Sequence, residues 1–211
     1  MRAYKFLDAD GRAPFTATPW APGEWVETAS VHPCREGVHA CRPADVAHWL
    51  ADAMWVIELG GPIVESRHKV VAARGRIVAA VDGYQAAARE LAAVGAWRAR
   101  DRAVTALRAA GADAVADRFA AATSLDELAA CGDVVGVDVD ESTFAGAAAG
   151  LAADAAHFAL HGDRAQSPFV AACSAGHDAA GPDGDQTAYD TGYAAERVFQ
   201  SAWLTERLNL T

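Results

Sequence analysis

The sequence predicts an α+β protein, with a small mixed or antiparallel sheet and one packed helix followed by an Ala-rich helical half. Three observations carry that expectation. Residues 1–82 are rich in Val, Ile, Trp and Tyr, with Gly and Pro recurring between short runs, as in strands and turns. Residues 83–211 become Ala-rich, with apolar positions at helical spacing. At 211 residues, 52% of them hydrophobic, the chain is long enough to bury a core. The change in composition sets two expected domains, 1–82 and 83–211.

Taken in order, Tyr4-Lys5-Phe6-Leu7 reads as the first strand, and Trp20 and Trp25 fall in a Pro/Gly-rich loop. Gly37–Cys41 reads as a short strand, in which a period of two puts His39 and Cys41 on one face. Pro43 suits a first helical position and Asp45 a first turn, so a short helix is expected with Val46, Trp49 and Leu50 facing the sheet. Met54–Leu59 reads as a buried strand ended by Gly60-Gly61-Pro62. Ile63–Val71 reads as its neighbour, and Arg74-Gly75-Arg76 as a further turn. Helices are expected near 84–110, 113–122, 124–131, 142–161, 166–176 and 187–208. Ser124 and Glu127 have the spacing of a capping box, and Val198, Phe199, Ala202 and Trp203 form a core-facing stripe. Asp178–Gln186 is expected to be a mobile loop.

Charge narrows the function classes. Eighteen basic against twenty-eight acidic residues give a net charge of -10, which repels nucleic acid and anionic membrane surfaces. Lysine occurs only at positions 5 and 69, and the preference for Arg and Ala is that of a GC-rich, actinomycete-like coding sequence. Charge precedes any apolar run at the amino end, and no stretch approaches the roughly 20 apolar residues of a membrane span, so a cytoplasmic location is expected. Four cysteines in that compartment are thiols or metal ligands.

Chemistry-bearing residues concentrate in the strand-rich half. His32-Pro33-Cys34 and His39-Ala40-Cys41 give the spacing H-x-C-x4-H-x-C, so Cys34, His39 and Cys41 are candidate zinc ligands; otherwise they are buried structural residues. Glu58 shares a strand face with Met54 and Val56, where burial would raise its pKa toward that of a general acid or base. Asp45 and His48 lie one helical turn apart, whereas Glu65 and His68 fall on opposite strand faces. His157 and His161, with Asp154, share a helix face without the Glu of H-E-x-x-H. No dinucleotide, P-loop, nucleophile-elbow or zincin motif occurs.

The pattern Cys34-x-x-Gly37-Val38-His39-x-Cys41, with Tyr4-Lys5 before it and Pro43, Asp45 and Glu58 after it, resembles an uncharacterised bacterial and phage family known only as a domain of unknown function. The resemblance spans residues 2–78 and implies no activity.

The expected function is a cofactor-independent enzyme performing acid-base chemistry on a small molecule, such as elimination, cyclisation, isomerisation or hydrolysis in bacterial specialised metabolism. His39 would be the principal acid or base, assisted by Asp45 and Glu58. Trp20, Trp25, Trp55, Glu65 and His68 would bind substrate. The alternative is a non-enzymatic interaction or regulatory module that docks a protein partner and is stabilised by zinc.

Overall fold

A computed structural model describes residues 1–211. It is α+β, with strands first and helices after, and divides into two compact units, Met1–Ala87 with Ser201–Thr211, and Ala88–Gln200. No helix is long and apolar enough to cross a membrane.

The strand-rich unit contains β1 (Arg2–Leu7), β2 (Val26–Glu27), β3 (Val38–Ala40), β4 (Ala53–Ser66) and β5 (Lys69–Ala80), all paired antiparallel. Strand β4 lies between β1 and β5, while β2 and β3 share the other edge of β5. Just beyond β3, Cys41 exchanges two backbone hydrogen bonds with Tyr4 of β1, at 2.9 and 2.8 Å. The ladder β1-β4-β5-β3 therefore returns to β1 and closes a ring.

Alternation sends one set of side chains inside this ring. Ala3 and Leu7, Val38 and Ala40, Ile57 and Leu59, Val70 and Ala72, and Ile77 form one buried cluster, capped by Trp20. Lys5 lies between Ala3 and Leu7 on the same inward face of β1, and only 8% of it is exposed.

Two turns differ from the sequence expectation. Strand β4 runs through Gly60-Gly61-Pro62, because Gly61 at φ +74° absorbs a bulge in the register between Gly60 and Ile63 and the chain does not reverse there. The reversal comes at Arg67-His68. Arg74-Gly75-Arg76 is mid-strand, paired with Gly60, Leu59 and Glu58. The expected short helix is a 3-10 turn, Pro43–His48, with Val46 fully buried. The carboxy-terminal segment belongs with this unit: the Ser201 hydroxyl accepts from Ala47 N at 3.2 Å, Thr205 donates to Pro43 O at 3.1 Å, and the Tyr4 hydroxyl accepts from Thr211 N at 2.9 Å.

Six α-helices follow: α1 (Tyr84–Ala109), α2 (Asp113–Ala121), α3 (Leu125–Ala130), α4 (Phe144–Leu160), α5 (Gln166–Ala180) and α6 (Gln186–Arg207). Within Ala88–Gln200, alanines of α1, α4 and α5 pack with Leu107, Phe119 and Leu128 in one core, the small side chains letting the backbones approach closely. Glu196, wholly buried, is held by Arg98 and Arg102. Ser124 caps α3 by accepting from Glu127 N at 3.2 Å. The Glu127 carboxylate accepts instead from Thr123, through its N–H at 2.7 Å and its hydroxyl at 2.8 Å. Helix α5 extends to Ala180, so the loop expected at Asp178–Gln186 is reduced to Gly181–Asp185.

Gly37 sits at φ +127°, and a Cβ there would overlap the Val71 side chain on β5. Replacing Gly37 by Ala should therefore destabilise the strand-rich unit by about 1–3 kcal/mol, read as a lower urea midpoint; an unchanged midpoint would show that β3 does not depend on this close approach.

Candidate functional site

Where β1 and β3 separate beyond the Tyr4–Cys41 bridge, the strand-rich unit holds a cavity of about 300 Å³. Its chemistry comes from five side chains: Lys5 of β1, Trp20 of the following loop, His39 of β3, Cys41, and Lys69 at the start of β5. The loop 13–18 covers one side, pinned by Ala13 N donating to Thr18 O at 2.9 Å and by the Arg12–Pro19 bridge. Phe15 at its tip is 88% exposed.

The Lys5 amino group donates to the His39 carbonyl at 3.1 Å and lies 4.4 Å from the centre of the Trp20 ring. It has no carboxylate partner, and no lining residue is Asp or Glu. Burial lowers its pKa from 10.5 to about 8, because leaving water penalises the ammonium form. The carbonyl and the ring face favour the charged form and offset part of that penalty.

His39 is held below the ordinary histidine value, first by burial and then by the charges of Lys69 and Lys5, so its ring is neutral at pH 7. Its Nε2 is buried without a hydrogen-bond partner, and so is Nε1 of Trp20, a residue 9% exposed. Lys5, His39 and Trp20 thus line one small space, and two of their polar atoms are left without a partner. Cys41 is inert there: burial, reinforced by Asp45, raises its thiol pKa, and Sγ donates to Tyr4 O at 3.5 Å.

The other residues singled out in the sequence lie elsewhere. Asp45, 6% exposed, accepts from Arg42 Nε at 2.6 Å and faces His68 Nδ1 at 3.4 Å. Arg42 also reaches Glu65 at 2.9 Å, and the His68 ring stacks on His48 with centroids 3.8 Å apart. Asp45, Glu65 and His68 therefore form a second network around Arg42. Glu58 is half-exposed and paired with Arg76 at 2.7 Å, and Trp25 lies under Arg74 and Arg76. Trp55 is partly buried against the ring interior. Cys34, exposed at φ +68°, accepts from the Lys69 amino group at 3.0 Å. His, Cys, Asp and Glu side chains do not converge in groups of three that could hold a metal ion, the Cys34, His39, Cys41 set included.

The structure thus brings together His39, Cys41 and Trp20 from the sequence candidates and adds Lys5 and Lys69. Lys5 had a sequence signal that composition alone hides: it is a lone charge inside the apolar run Ala3–Leu7, in a chain with just one other lysine.

Residues 1–89 match the model of the domain of unknown function DUF7666. The expected likeness to an uncharacterised family is borne out over this region. The DUF7666 match takes in all five strands, the cavity and the start of α1, and leaves the rest of the helical half outside. No curated protein and no solved structure matches the chain.

The Lys5 shift has a consequence for stability. With a folded pKa near 8 and an unfolded value of 10.5, the unfolded state holds the extra proton between those limits, so folding gains stability as pH rises through that window. The full change is about 3 kcal/mol. Melting wild type and Lys5→Met side by side should show the difference moving in favour of wild type from pH 7 to pH 10; a pH-independent difference would mean that Lys5 is not desolvated.

Proposed function

We propose that the strand-rich unit is a cofactor-independent enzyme that binds a small organic anion with an apolar body in the Lys5–His39 cavity and moves a proton on it. The observation that carries this reading is the cavity that Lys5, His39 and Trp20 line together, with Nε2 of His39 and Nε1 of Trp20 buried at its wall without a hydrogen-bond partner. Buried polar groups without partners are rare and costly; a ligand carrying an acceptor for the Trp20 N–H and a proton to give to the His39 lone pair would satisfy both.

Charge favours an anion. The protein carries a net charge of -10, yet the cavity is lined by Lys5, Lys69 and His39 and by no carboxylate. An acidic surface around a basic, apolar-walled pocket disfavours entry of nonspecific polyanions and leaves a local attraction for a small one. Neutral His39 is available as the base. The ammonium form of Lys5, which still predominates at pH 7, would steady negative charge developing on the substrate. Trp20, in contact with both the amine and the cavity, forms an apolar wall. Asp45 and Glu58 have no part in this step, being engaged by Arg42 and Arg76. Cytoplasmic operation accords with four free cysteines.

A generic proton-transfer probe tests this. With 5-nitrobenzisoxazole, a base removes the ring C–H proton, the N–O bond breaks, and a coloured phenolate leaves with the electron pair. The protein should accelerate this reaction at least about tenfold over an equal concentration of imidazole. Benzoate should inhibit it more strongly than the neutral isostere benzamide, and His39→Ala should abolish it. A rate equal to that of imidazole, or one untouched by His39→Ala, would overturn the proposal.

A further inference from the structure

Resting on the anion-binding reading of the same cavity, we propose that Lys5 is an imine-forming residue and that the substrate class is a small 2-oxo acid. The geometry supplies what this chemistry requires. The amine lies on the inward face of a strand, 8% exposed, with one hydrogen bond to a carbonyl and no ion pair holding it as ammonium. A 2-oxo acid presents a carbonyl carbon to that amine and a carboxylate to the remaining donors. Trp20, whose Nε1 is buried without a partner, and Lys69 both line the cavity, and a small turn of the Trp20 ring would bring that N–H to the carboxylate.

The step balances without any redox partner. The neutral Lys5 Nζ adds its lone pair to the carbonyl carbon, and a proton passes from nitrogen to oxygen to give a carbinolamine. Protonation of that hydroxyl expels water and leaves the C=N bond of an iminium. The imidazole of His39, a residue lining the same cavity and with no hydrogen-bond partner at Nε2, relays the proton in both directions. The iminium acidifies the neighbouring C–H of the substrate, which connects this covalent step to the proton transfer proposed above. The amine needs its neutral form, and a pKa near 8 leaves about a tenth of Lys5 neutral at pH 7.

Sequence makes the test clean, because Lys69 is the other lysine and serves, with the terminal amine, as an internal reference. Incubating the full chain with 2-oxobutanoate and cyanoborohydride, which delivers hydride to the iminium carbon, should fix a 1-carboxypropyl group on Lys5. Peptide mass spectrometry should find labelling of Lys5 at least about tenfold above Lys69, although Lys69 is the more exposed amine. Butanone, lacking the carboxylate, should label poorly. Without the reductant, the C3 protons of 2-oxobutanoate should exchange with deuterated solvent faster in the presence of the protein.

Lys5→Arg keeps a cation and its hydrogen-bond donors but cannot form the imine. It should lose both labelling and exchange. Labelling of Lys5 at or below Lys69, with benzoate still discriminated from benzamide, would remove the imine while leaving the anion-binding enzyme in place. Loss of the benzoate discrimination as well would remove both.

Discussion

The burial of one amine organises the strand-rich unit. Lys5 occupies an inward position of β1 where its neighbours in alternation, Ala3 and Leu7, are core residues. An uncompensated ammonium there would be strongly destabilising. The ring of strands tolerates it because β3 brings the His39 carbonyl to within 3.1 Å and the loop after β1 lays the Trp20 face 4.4 Å away. Both contacts depend on β3 closing against β1 through the Tyr4–Cys41 bridge, so the fold's closure and the amine's environment are one constraint seen from two sides. Cys41, Gly37 and His39 then have distinct tasks: Cys41 closes the ring, Gly37 admits Val71, and His39 contributes a carbonyl to Lys5 and a ring to the cavity.

Polarity is distributed in a consistent way across the unit. Carboxylates at Asp45, Glu58 and Glu65 are consumed by arginines at its periphery. The cavity keeps Lys5, Lys69 and His39 without acidic partners. Such an arrangement stores destabilisation, since neither orphaned atom is satisfied and the amine is held below its ordinary pKa. Groups arranged at that cost to stability are commonly those that meet a ligand.

Much of the fold was legible in the sequence, since the change from Val/Ile/Trp-rich to Ala-rich composition marked the strand and helix regions and the helix limits fell close to the Gly and Pro signals. The strand turns were less legible, because Gly60-Gly61-Pro62 serves a bulge as readily as a reversal, and the register that keeps β4 going is set by its partner β5. The return of Ser201–Thr211 to the strand-rich unit rests on hydrogen bonds from side chains such as Ser201 and Thr205, which carry no pattern of their own. At the site, His39 and Trp20 stood out by residue type. Lys5 did not, because a lysine in a strand is usually on the outer face; only ring closure reveals which face is inside. Asp45, Glu65 and His68 attracted notice as acids and bases; Arg42 is local to Asp45, but its reach to Glu65, and the approach of His68 to Asp45, span more than twenty residues and no local spacing shows them.

A direct measurement of the Lys5 titration decides whether this constraint exists. With lysine labelled at the ε-carbon, NMR of a chain with lysines at positions 5 and 69 alone gives two resonances that single substitutions assign. The account predicts that Lys5 titrates near 8 and that benzoate shifts its titration upward by stabilising the ammonium form. A Lys5 resonance that titrates at the ordinary lysine value of 10.5, unmoved by benzoate, would contradict it.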